Sequence, residues 1–480
     1  MPVIISKKLQ HHADQSSSDD KPGEVIKFPA ATLNEAIELT EDAVAEAFAQ
    51  DFGDKMRFDH MQCKWFIWDG VRWKRNDTEA AYDYARRLCR KHRRHQRIMG
   101  SRKAAEGVEH MARRDQRLAV TSDNWDQDPY LLGTPGGTVE LKTGKLRAAN
   151  REDFLTKCAA VTPADQGAEC PIFNKFFADA TGGDKALQRF LQQWAGYCLT
   201  GDTSEQALLF IYGPGGNGKG VFLNILTDIM ASTDTAGYAK TAAMDTFVAL
   251  KHPRHLAELA MLHGARLVTS SETEKDQIWS ESRINQLTGE DPITANFMRQ
   301  DHFSFRPRFK LTFIGNHKPK LGTVNDAARR RFNIVPFMHK PDVPDKGLIK
   351  KLRTEYPVIL RWMLDGCLDW QKNGLIRPPI VTTTTDQYFE EQDLVGRWID
   401  EKCECGLGMK ETASNLFASY KEFSIANGEL PGTQTVFGSL LQQRDGLERK
   451  KSSGIQYVGI KLKPEEALKL KFGPYASATF

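Results

Sequence analysis

The sequence predicts an α/β core with a phosphate loop, set between a mainly helical N-terminal domain and a C-terminal domain of winged-helix type. Three observations support this fold class: an apolar run that enters a glycine-rich loop at Gly213, a mostly helical pattern from about Leu33 to Arg117, and late helices followed by two short strands. We expect this division: a disordered tail at 1–32, an N-terminal domain at 33–165, an ATPase domain at 166–345, a helical segment and linker at 346–385, and the winged-helix-like domain at 386–480.

Composition limits the class of protein. The 480 residues suffice for about three domains, and a formal net charge of +4 leaves any nucleic-acid site to local clusters. No apolar run approaches the roughly 20 residues that cross a bilayer, and the N-terminus does not resemble a secretory signal. Eight cysteines stand without CxxC spacing, which predicts free thiols rather than a zinc site or disulfides. We therefore expect a soluble intracellular protein without a membrane partner.

The N-terminal domain combines helical patterns with one hairpin. The tail is rich in Ser, Asp, Lys and His and has too few apolar residues to pack. The segment Trp65–Trp73 predicts a hairpin that turns at Asp69 and Gly70. The segment Arg86–Arg117 is the most basic in the chain and contains few acids. A solvated helical face and a contact with a phosphate backbone explain this segment equally well.

The phosphate loop is the strongest chemical signal. The string GPGGNGKG follows the apolar run Ala207–Tyr212 and precedes an amphipathic helix, in the order that such a loop requires. Its glycines let backbone N–H groups approach a polyphosphate, and Lys219 can reach the terminal phosphates. A glycine-rich turn without a ligand is the alternative. The residues expected to hold ATP are Gly213, Pro214, Gly215, Gly216, Asn217, Gly218, Lys219, Gly220 and Val221.

Polar side chains follow two further apolar strands. The string ARLVTSSETE places Glu272 and Glu274 after one strand, where carboxylates can hold Mg²⁺ through water and activate the attacking water. Surface acids after a core strand are the alternative. The string FKLTFIGNHKP places Asn316 after the second strand, where an amide can orient water or sense the γ-phosphate.

Three arginines precede the next apolar strand. In NDAARRRFNIVPF, Arg329, Arg330 and Arg331 are suited to reach the γ-phosphate bound by a neighbouring subunit. A positive charge there accelerates other nucleotide hydrolases by roughly 10³- to 10⁵-fold. A surface position for these arginines is the alternative.

The last hundred residues predict a separate small domain. Its expected elements are helices near Leu394–Ile399, Leu416–Phe423 and Thr433–Arg444, and strands near Leu447–Lys450 and Ile455–Lys461. In a winged helix, Arg444 would face a DNA groove and Lys450 would face phosphates. A winged fold used only for packing is the alternative.

Five ordered motifs carry a resemblance to a known family: GPGGNGKGVF, LVTSSETE, QLTGEDPITANF, LTFIGNHKP and RRRFNIVPF. They resemble the motifs of superfamily 3 helicases, and are most similar to the phage and plasmid primase-helicases related to the poxvirus primase-helicase. The resemblance covers the chain from roughly Trp65 to the C-terminus. It implies an AAA-type ATPase core that works as a homo-oligomeric ring, usually a hexamer. Such rings translocate along single-stranded DNA, typically 3′ to 5′, and unwind forked DNA.

The resemblance also implies roles for single residues. By position, Lys219 matches the phosphate lysine, Glu272 the metal-associated acid and Asn316 the sensor. Arg331 matches the arginine finger, with Arg330 as the second candidate.

A further segment, ANFMRQDHFSF, matches the hairpin that such motors point into the central channel. Phe297, Arg299 and His302 could there stack on DNA bases or grip phosphates. An exposed hairpin tip without a ligand is the alternative.

Two positions depart from the pattern of the family. Gly220 stands where a serine or threonine usually contacts Mg²⁺, and Thr273 separates acids that are adjacent in many related ATPases. Both departures leave open which carboxylate holds the metal and which one activates water.

Much of the family carries a primase domain before the motor. Only about sixty residues precede Trp65 here, and they lack a paired-aspartate strand motif, so we expect unwinding without priming. The expected setting is replication of a phage, plasmid or integrated mobile element in the bacterial cytoplasm. Expected partners are primase, origin-binding or other replication proteins. An origin-binding initiator whose ATPase controls assembly is the main rival, and a metabolic kinase is disfavoured because nothing outlines a small-substrate pocket.

Overall fold

The computed structural model describes residues 40–92, 97–232, 236–249, 256–271, 277–296, 301–321, 326–341, 343–451 and 454–472. The tail predicted at 1–32 lies outside these residues. The first region contains α1 (Glu41–Phe52), β1 (Met56–Asp59), β2 (Lys64–Trp68), β3 (Trp73–Asn76), α2 (Ala80–His92), α3 (Arg102–Ala112) and β4 (Ala119–Val120).

This first region is a mixed helix and sheet unit. Its strands form a four-stranded sheet in the order β3-β2-β1-β4, and the three helices share one apolar core with it. The hairpin predicted at Trp65–Trp73 is confirmed by the antiparallel pairing of β2 with β3. Helices α1, α2 and α3 contain more residues than the four strands, as a mainly helical domain requires, but the central strand Met56–Asp59, which pairs with distant residues at 119–120, was not predicted.

Five arginines of the basic segment Arg86–Arg117 form ion pairs within the chain. Its ion pairs are Arg86 and Arg87 with Asp83, Arg102 with Glu106, Arg113 with Glu109, and Arg117 with Glu46 and Asp115. Two of the acids, Glu46 and Asp83, precede the segment. The number of acids inside the segment is therefore smaller than the number that pair with its arginines. These pairs favour a solvated face for the five arginines, and a phosphate contact by the other basic residues of the segment stays a prediction.

A short meander connects the first region to the central one. It consists of β5 (Leu131–Thr134), β6 (Gly137–Glu140) and β7 (Lys145–Arg147), paired antiparallel in that order. Leu132, Val139 and Leu141 are fully buried in the same apolar cluster as the helices of the central region. Because these residues pack in the central core, the meander at 131–147 belongs to the central region and not to the N-terminal domain.

The central region is a doubly covered parallel sheet. Its elements are α4 (Pro171–Ala180), α5 (Lys185–Leu199), β8 (Leu208–Tyr212), α6 (Lys219–Met230), β9 (Ala239–Thr241), α7 (Ala257–Ala260), β10 (Leu267–Ser270), α8 (Glu281–Thr288), β11 (Ile293–Asn296), β12 (His302–Phe305), β13 (Lys310–Gly315), α9 (Asp326–Arg331) and β14 (Phe332–Pro336). The sheet has the order β14-β8-β13-β10-β9, with every pair parallel.

Strand β8 lies inside this sheet and is apolar on both faces. Leu209 and Ile211 contribute to the apolar cluster on one face, which contains α4, α5 and α6. Leu208 and Phe210 contribute to the cluster on the opposite face, which contains α8. Burial on both faces explains why β8 is a continuous apolar run rather than an alternating one. The glycine-rich loop that begins at Gly213 therefore follows a fully packed inner strand.

Three helices follow the sheet: α10 (Leu348–Leu352), α11 (Tyr356–Asn373) and α12 (Pro379–Gln392). Helix α11 crosses α5 closely, since a Cβ atom placed on Gly196 would lie 2.0 Å from the backbone nitrogen of Cys367. Thr385 in α12 accepts a hydrogen bond from the N–H of Ile334 at 3.0 Å, which covers the exposed edge of β14. The residues assigned to a linker as far as 385 thus include a helix that packs on the sheet.

The C-terminal region contains α13 (Leu394–Lys402), β15 (Cys403–Thr412), α14 (Ala413–Ala426), α15 (Gln434–Gln442), β16 (Glu448–Lys451), β17 (Ile455–Leu462) and α16 (Pro464–Phe472). Its antiparallel sheet has the order β15-β17-β16. The three predicted helices and the last two strands are present at the expected positions. Strand β15 and helix α16 were not predicted. An ion pair of 2.8 Å between Lys320 and Glu429 joins this region to the central one.

Candidate functional site

The candidate site is the loop between β8 and α6. Its tight path depends on Gly218, which has a φ of +84°. A Cβ atom at this position would also lie 2.8 Å from Cε2 of Phe176 on α4. A side chain is therefore excluded both by backbone conformation and by space. Phe176 closes one side of the loop.

The Lys219 side chain folds back into the loop and is only 6% exposed. Its ammonium group donates to the Gly213 carbonyl at 2.6 Å, to Asn217 Oδ1 at 3.0 Å and to Asn316 Oδ1 at 3.2 Å. These three acceptors match the three donors of an ammonium group. Burial lowers the pKa of Lys219. A bound phosphate oxygen would replace one of these acceptors and supply a negative charge.

Asn316 reaches this lysine because of the sheet order. Strand β13 lies next to β8, and Gly315 is in register with Tyr212. The carboxyl ends of both strands therefore meet at one edge of the sheet. The structure brings together Lys219 and Asn316, which lie about a hundred residues apart in the sequence.

Asn217 fixes the loop to the end of β14. Its side chain is 2% exposed and donates to the carbonyl of Phe337, while its oxygen accepts from Lys219. Phe337 also donates its N–H to the carbonyl of Tyr212 at 2.8 Å. The sequence motif suggested a backbone role for Asn217 as part of the loop, and it did not indicate this link to Phe337.

The predicted metal ligands Glu272 and Glu274 lie outside the described residues. Strand β10, which precedes them, is the neighbour of β13 and ends at the same edge of the sheet. Gly220 contributes no side-chain oxygen, and the space beside its Cα is open within 4 Å. Gly220 therefore leaves open space where a serine or threonine would place its hydroxyl.

Arg331 is held in a defined orientation. Its guanidinium donates to Thr288 Oγ1 at 3.1 Å, to Gln206 Oε1 at 3.2 Å and to the Ala327 carbonyl at 2.9 Å. Partial burial, and to a lesser degree the charge of Arg330, lower the pKa of Arg331. Neither Thr288 nor Gln206 was predicted from the sequence as a partner of Arg331. Thr288 lies within the motif QLTGEDPITANF, which was the available signal for it.

Arg331 lies at the end of the sheet where the parallel strands begin, whereas the phosphate loop lies at the end where they finish. The next residue, Phe332, is in register with Leu208 at the beginning of β8, whereas the loop follows Tyr212 at its end. The two ends of β8 are about 13 Å apart at the usual rise per residue. The structure therefore does not bring Arg331 and Lys219 of one chain together.

The two neighbouring arginines differ from Arg331. Arg329 forms an ion pair of 3.3 Å with Asp386 and lies over the ring of Phe389, which connects α9 to α12. Arg330 is exposed and donates to the backbone of Asp326 at 3.3 Å. Arg330 is therefore less constrained than Arg331.

The hairpin predicted over residues 295–305 is present as β11 and β12, with Asn296 opposite His302. His302 is exposed at the end of the pairing. Phe297 and Arg299 lie outside the described residues. The rings of Phe303 and Phe305 lie 5.6 and 5.2 Å from that of His263, so the base of the hairpin packs on the central region.

The two predicted DNA contacts in the C-terminal region have different surroundings. Arg444 forms an ion pair with Asp393. The Asp393 carboxylate also accepts a hydrogen bond from the N–H of Gly396 and thereby caps helix α13. Arg444 thus has a structural role within the domain. Lys450 on β16 is largely exposed and forms a surface ion pair of 3.3 Å with Glu448.

Two protein families match separate parts of the chain. Residues 45–182 match the family described as "D5 N terminal like". Residues 211–331, which include the phosphate loop and Arg331, match "Family of unknown function (DUF5906)".

Curated viral proteins resemble the chain at low identity. "Putative helicase L207/L206" of Acanthamoeba polyphaga mimivirus is 23% identical over 350 residues, covering 65% of this chain and 35% of that protein. "Putative helicase 022R" of Frog virus 3 is 22% identical over 293 residues, covering 56% of this chain and 29% of that protein. The chain thus spans about a third of the length of the curated relatives it matches.

Among solved structures, the apo form of the NrS-1 C-terminal region has a similar fold. The TM-score is 0.50 at 10% sequence identity, and the match covers 87% of this chain and 99% of that one. This likeness concerns the fold alone. Within the described part of the chain, no helix combines the length and apolar character needed to cross a membrane.

Proposed function

The chain belongs to the D5-like primase-helicases, and from this membership we propose that it is an ATP-hydrolysing DNA helicase of replication. In this proposal the chain assembles into a homo-oligomeric ring, usually a hexamer, with an AAA-type core. The ring translocates 3′ to 5′ on single-stranded DNA and unwinds forks. The proposed setting is a phage, plasmid or integrated element in a bacterial cytoplasm.

The observation that carries the proposal is the contact of Lys219 with Asn316 inside the phosphate loop. A lysine and a polar amide at the ends of adjacent parallel strands are suited to bind a γ-phosphate and to position the water that attacks it. In the reaction, water attacks the γ-phosphorus and the bond to the leaving ADP oxygen breaks. Lys219 stabilises the negative charge on the transferred group.

The proposed ring gives Arg331 a target. Since Arg331 lies at the far edge of the sheet from its own phosphate loop, it can only contact a nucleotide bound by another copy. Its three hydrogen bonds to the chain hold the guanidinium in place before that contact, which favours a preorganised charge. Arg330 is the second candidate for this role.

Magnesium is proposed as the cofactor that accompanies ATP. Glu272 and Glu274 are the proposed ligands, together with the phosphates and water, because Gly220 supplies no oxygen. Bound Mg²⁺ would neutralise charge that develops on the phosphates.

For DNA, the proposal uses the hairpin formed by β11 and β12. Phe297 and Arg299, which follow β11 in the sequence, and His302 at the start of β12 are the proposed contacts with single-stranded DNA. In the C-terminal region, the exposed Lys450 is a better candidate for a phosphate contact than the paired Arg444. A replication helicase works with other replication proteins, so we propose a primase or an origin-binding protein as partners.

The direct test is strand separation on forked DNA with a single 3′ or 5′ tail. We expect ATP-dependent unwinding of the 3′-tailed fork, and loss of both unwinding and ATPase in Lys219→Ala, because the loop then lacks its phosphate-binding charge. Lys372→Ala, which removes an exposed lysine from the end of α11, is the matched control and should retain both activities.

The alternative is an origin-binding initiator whose ATPase controls assembly. The order of helices and strands in the C-terminal region and the fully exposed β16 favour it, because they suit binding to a duplex. ATP hydrolysis without unwinding of either fork, combined with binding to one duplex sequence, would contradict the helicase proposal and support the initiator.

A further inference from the structure

The segment that follows β14 crosses the phosphate loop. Phe337 is bonded to both ends of the loop, through its N–H to Tyr212 and through its carbonyl to Asn217. The next residues, Met338–Lys340, are exposed. The backbone of this segment is therefore fixed beside the loop, while its side chains are accessible to solvent.

Lys340 lies directly against the loop. A Cβ atom placed on Gly216 would be 3.3 Å from Lys340 Cε and 4.0 Å from its Cγ and Cδ. The aliphatic stem of the lysine thus covers Gly216, which has a φ of +80°. Since the stem is packed on the loop and the side chain is exposed, its ammonium group ends at the rim of the loop.

The two lysines of the loop differ in their surroundings. Lys219 is buried and bonded to three acceptors, whereas Lys340 is exposed at the rim. A triphosphate carries several negative charges along its length, and one buried ammonium group cannot contact all of them. A second cation beside the loop would add a charge-assisted contact to the phosphates.

We propose that Lys340 is a second phosphate-contacting residue, which acts in the same chain as Lys219 and favours nucleoside triphosphates and diphosphates over monophosphates. This inference rests on the proposed nucleotide binding. It adds a cation outside the five sequence motifs, on a segment whose position depends on Asn217 and Phe337.

A glycine at position 216 is what allows the Lys340 side chain to pack against the loop. Any side chain at residue 216 would be strained by the backbone and would press on the methylene groups of Lys340. The absence of a side chain there lets the lysine stem approach the loop. Lys340 can therefore reach the phosphates without a rearrangement of the backbone.

The test is calorimetric binding of ATP, ADP and AMP to the full chain, its Lys340→Met and Lys340→Arg variants and the control Lys372→Met. Methionine keeps an apolar stem over Gly216 but removes the charge, and arginine keeps the charge. We expect Lys340→Met to weaken ATP binding about fivefold, with a smaller loss for ADP and almost none for AMP. Lys340→Arg should restore most of the affinity, and Lys372→Met should bind like the unmodified chain.

Two outcomes would overturn the inference while leaving nucleotide binding intact. They are unchanged ATP affinity in Lys340→Met, and equal losses for all three nucleotides, which would assign Lys340 to loop packing. Failure of the unmodified chain to bind ATP would instead reject the proposed function, and the inference with it.

Discussion

Gly220 is the residue at which this phosphate loop differs most from its motif. It lies in the first turn of α6, where a Cβ atom would meet nothing within 4 Å, so space does not require a glycine there. A serine would add the hydroxyl that usually contacts Mg²⁺. It would also suit the helix better than glycine, by a few tenths of a kcal/mol.

We predict that Gly220→Ser raises the apparent affinity for Mg²⁺ a few-fold, because one oxygen joins the metal ligands. The measurement is ATPase rate against Mg²⁺ concentration at saturating ATP. Gly454→Ser is the matched control, since its Cβ position is also open and lies in the C-terminal region. A Mg²⁺ midpoint that does not move would mean that residue 220 does not face the metal.

At the scale of elements, Lys310 connects the start of β13 to the end of α5. Its ammonium group donates to the carbonyls of Thr200 at 2.6 Å and Asp202 at 3.0 Å. The residue is 2% exposed, and burial lowers its pKa to about 7. An unfolded lysine has a pKa of about 10.4. Between these two values the unfolded chain binds more protons than the folded one, so the free energy of unfolding rises with pH.

We predict that this rise begins near pH 7 and reaches at most about 1.4 kcal/mol per pH unit. The measurement is urea unfolding from pH 7 to about 8, below the range in which unfolded cysteines ionise extensively. In Lys310→Met the slope with pH should be smaller, because neither state titrates at that position. Lys350→Met removes an exposed lysine of α10 and should keep the original slope. Equal slopes in both variants would show that Lys310 is charged in the folded chain at neutral pH.

In the whole molecule, the phosphate loop and Arg331 lie at opposite ends of the strands of one parallel sheet. A single chain therefore cannot place both at one nucleotide. In the proposed ring, one copy would supply Lys219 and its neighbour would supply Arg331.

We predict that Lys219→Ala and Arg331→Ala proteins are each nearly inactive as ATPases, and that mixing them restores part of the activity. Mixed assemblies would contain some interfaces with an intact lysine on one copy and an intact arginine on the other. The doubly substituted chain mixed with Lys219→Ala has no intact lysine and gives the background. Recovery no greater than this background at any mixing ratio would contradict a role for Arg331 between subunits.

Local sequence patterns predicted the elements whose signals are short-range. The apolar run of β8, the glycines before Lys219 and the hairpin at Trp65–Trp73 were all recognised, because each depends on residues close in the chain. Strand β15 was missed, since its sequence CECGLGMKET lacks the alternation of a half-buried strand. The linker assignment also failed to anticipate α12, although Pro379 suits the first turn of a helix.

Local residue patterns are enough to predict the glycine-rich loop, the strands around it and the order of the polar motifs, because backbone conformation and strand burial depend on nearby residues. Which of these residues meet depends instead on contacts between distant parts of the chain. The tertiary structure placed Asn316 against Lys219 and Arg331 at the far edge, since both follow from strand order and register. It also set Lys340 beside Gly216 through the bonds of Phe337, a contact between residues distant in sequence that no local pattern encodes.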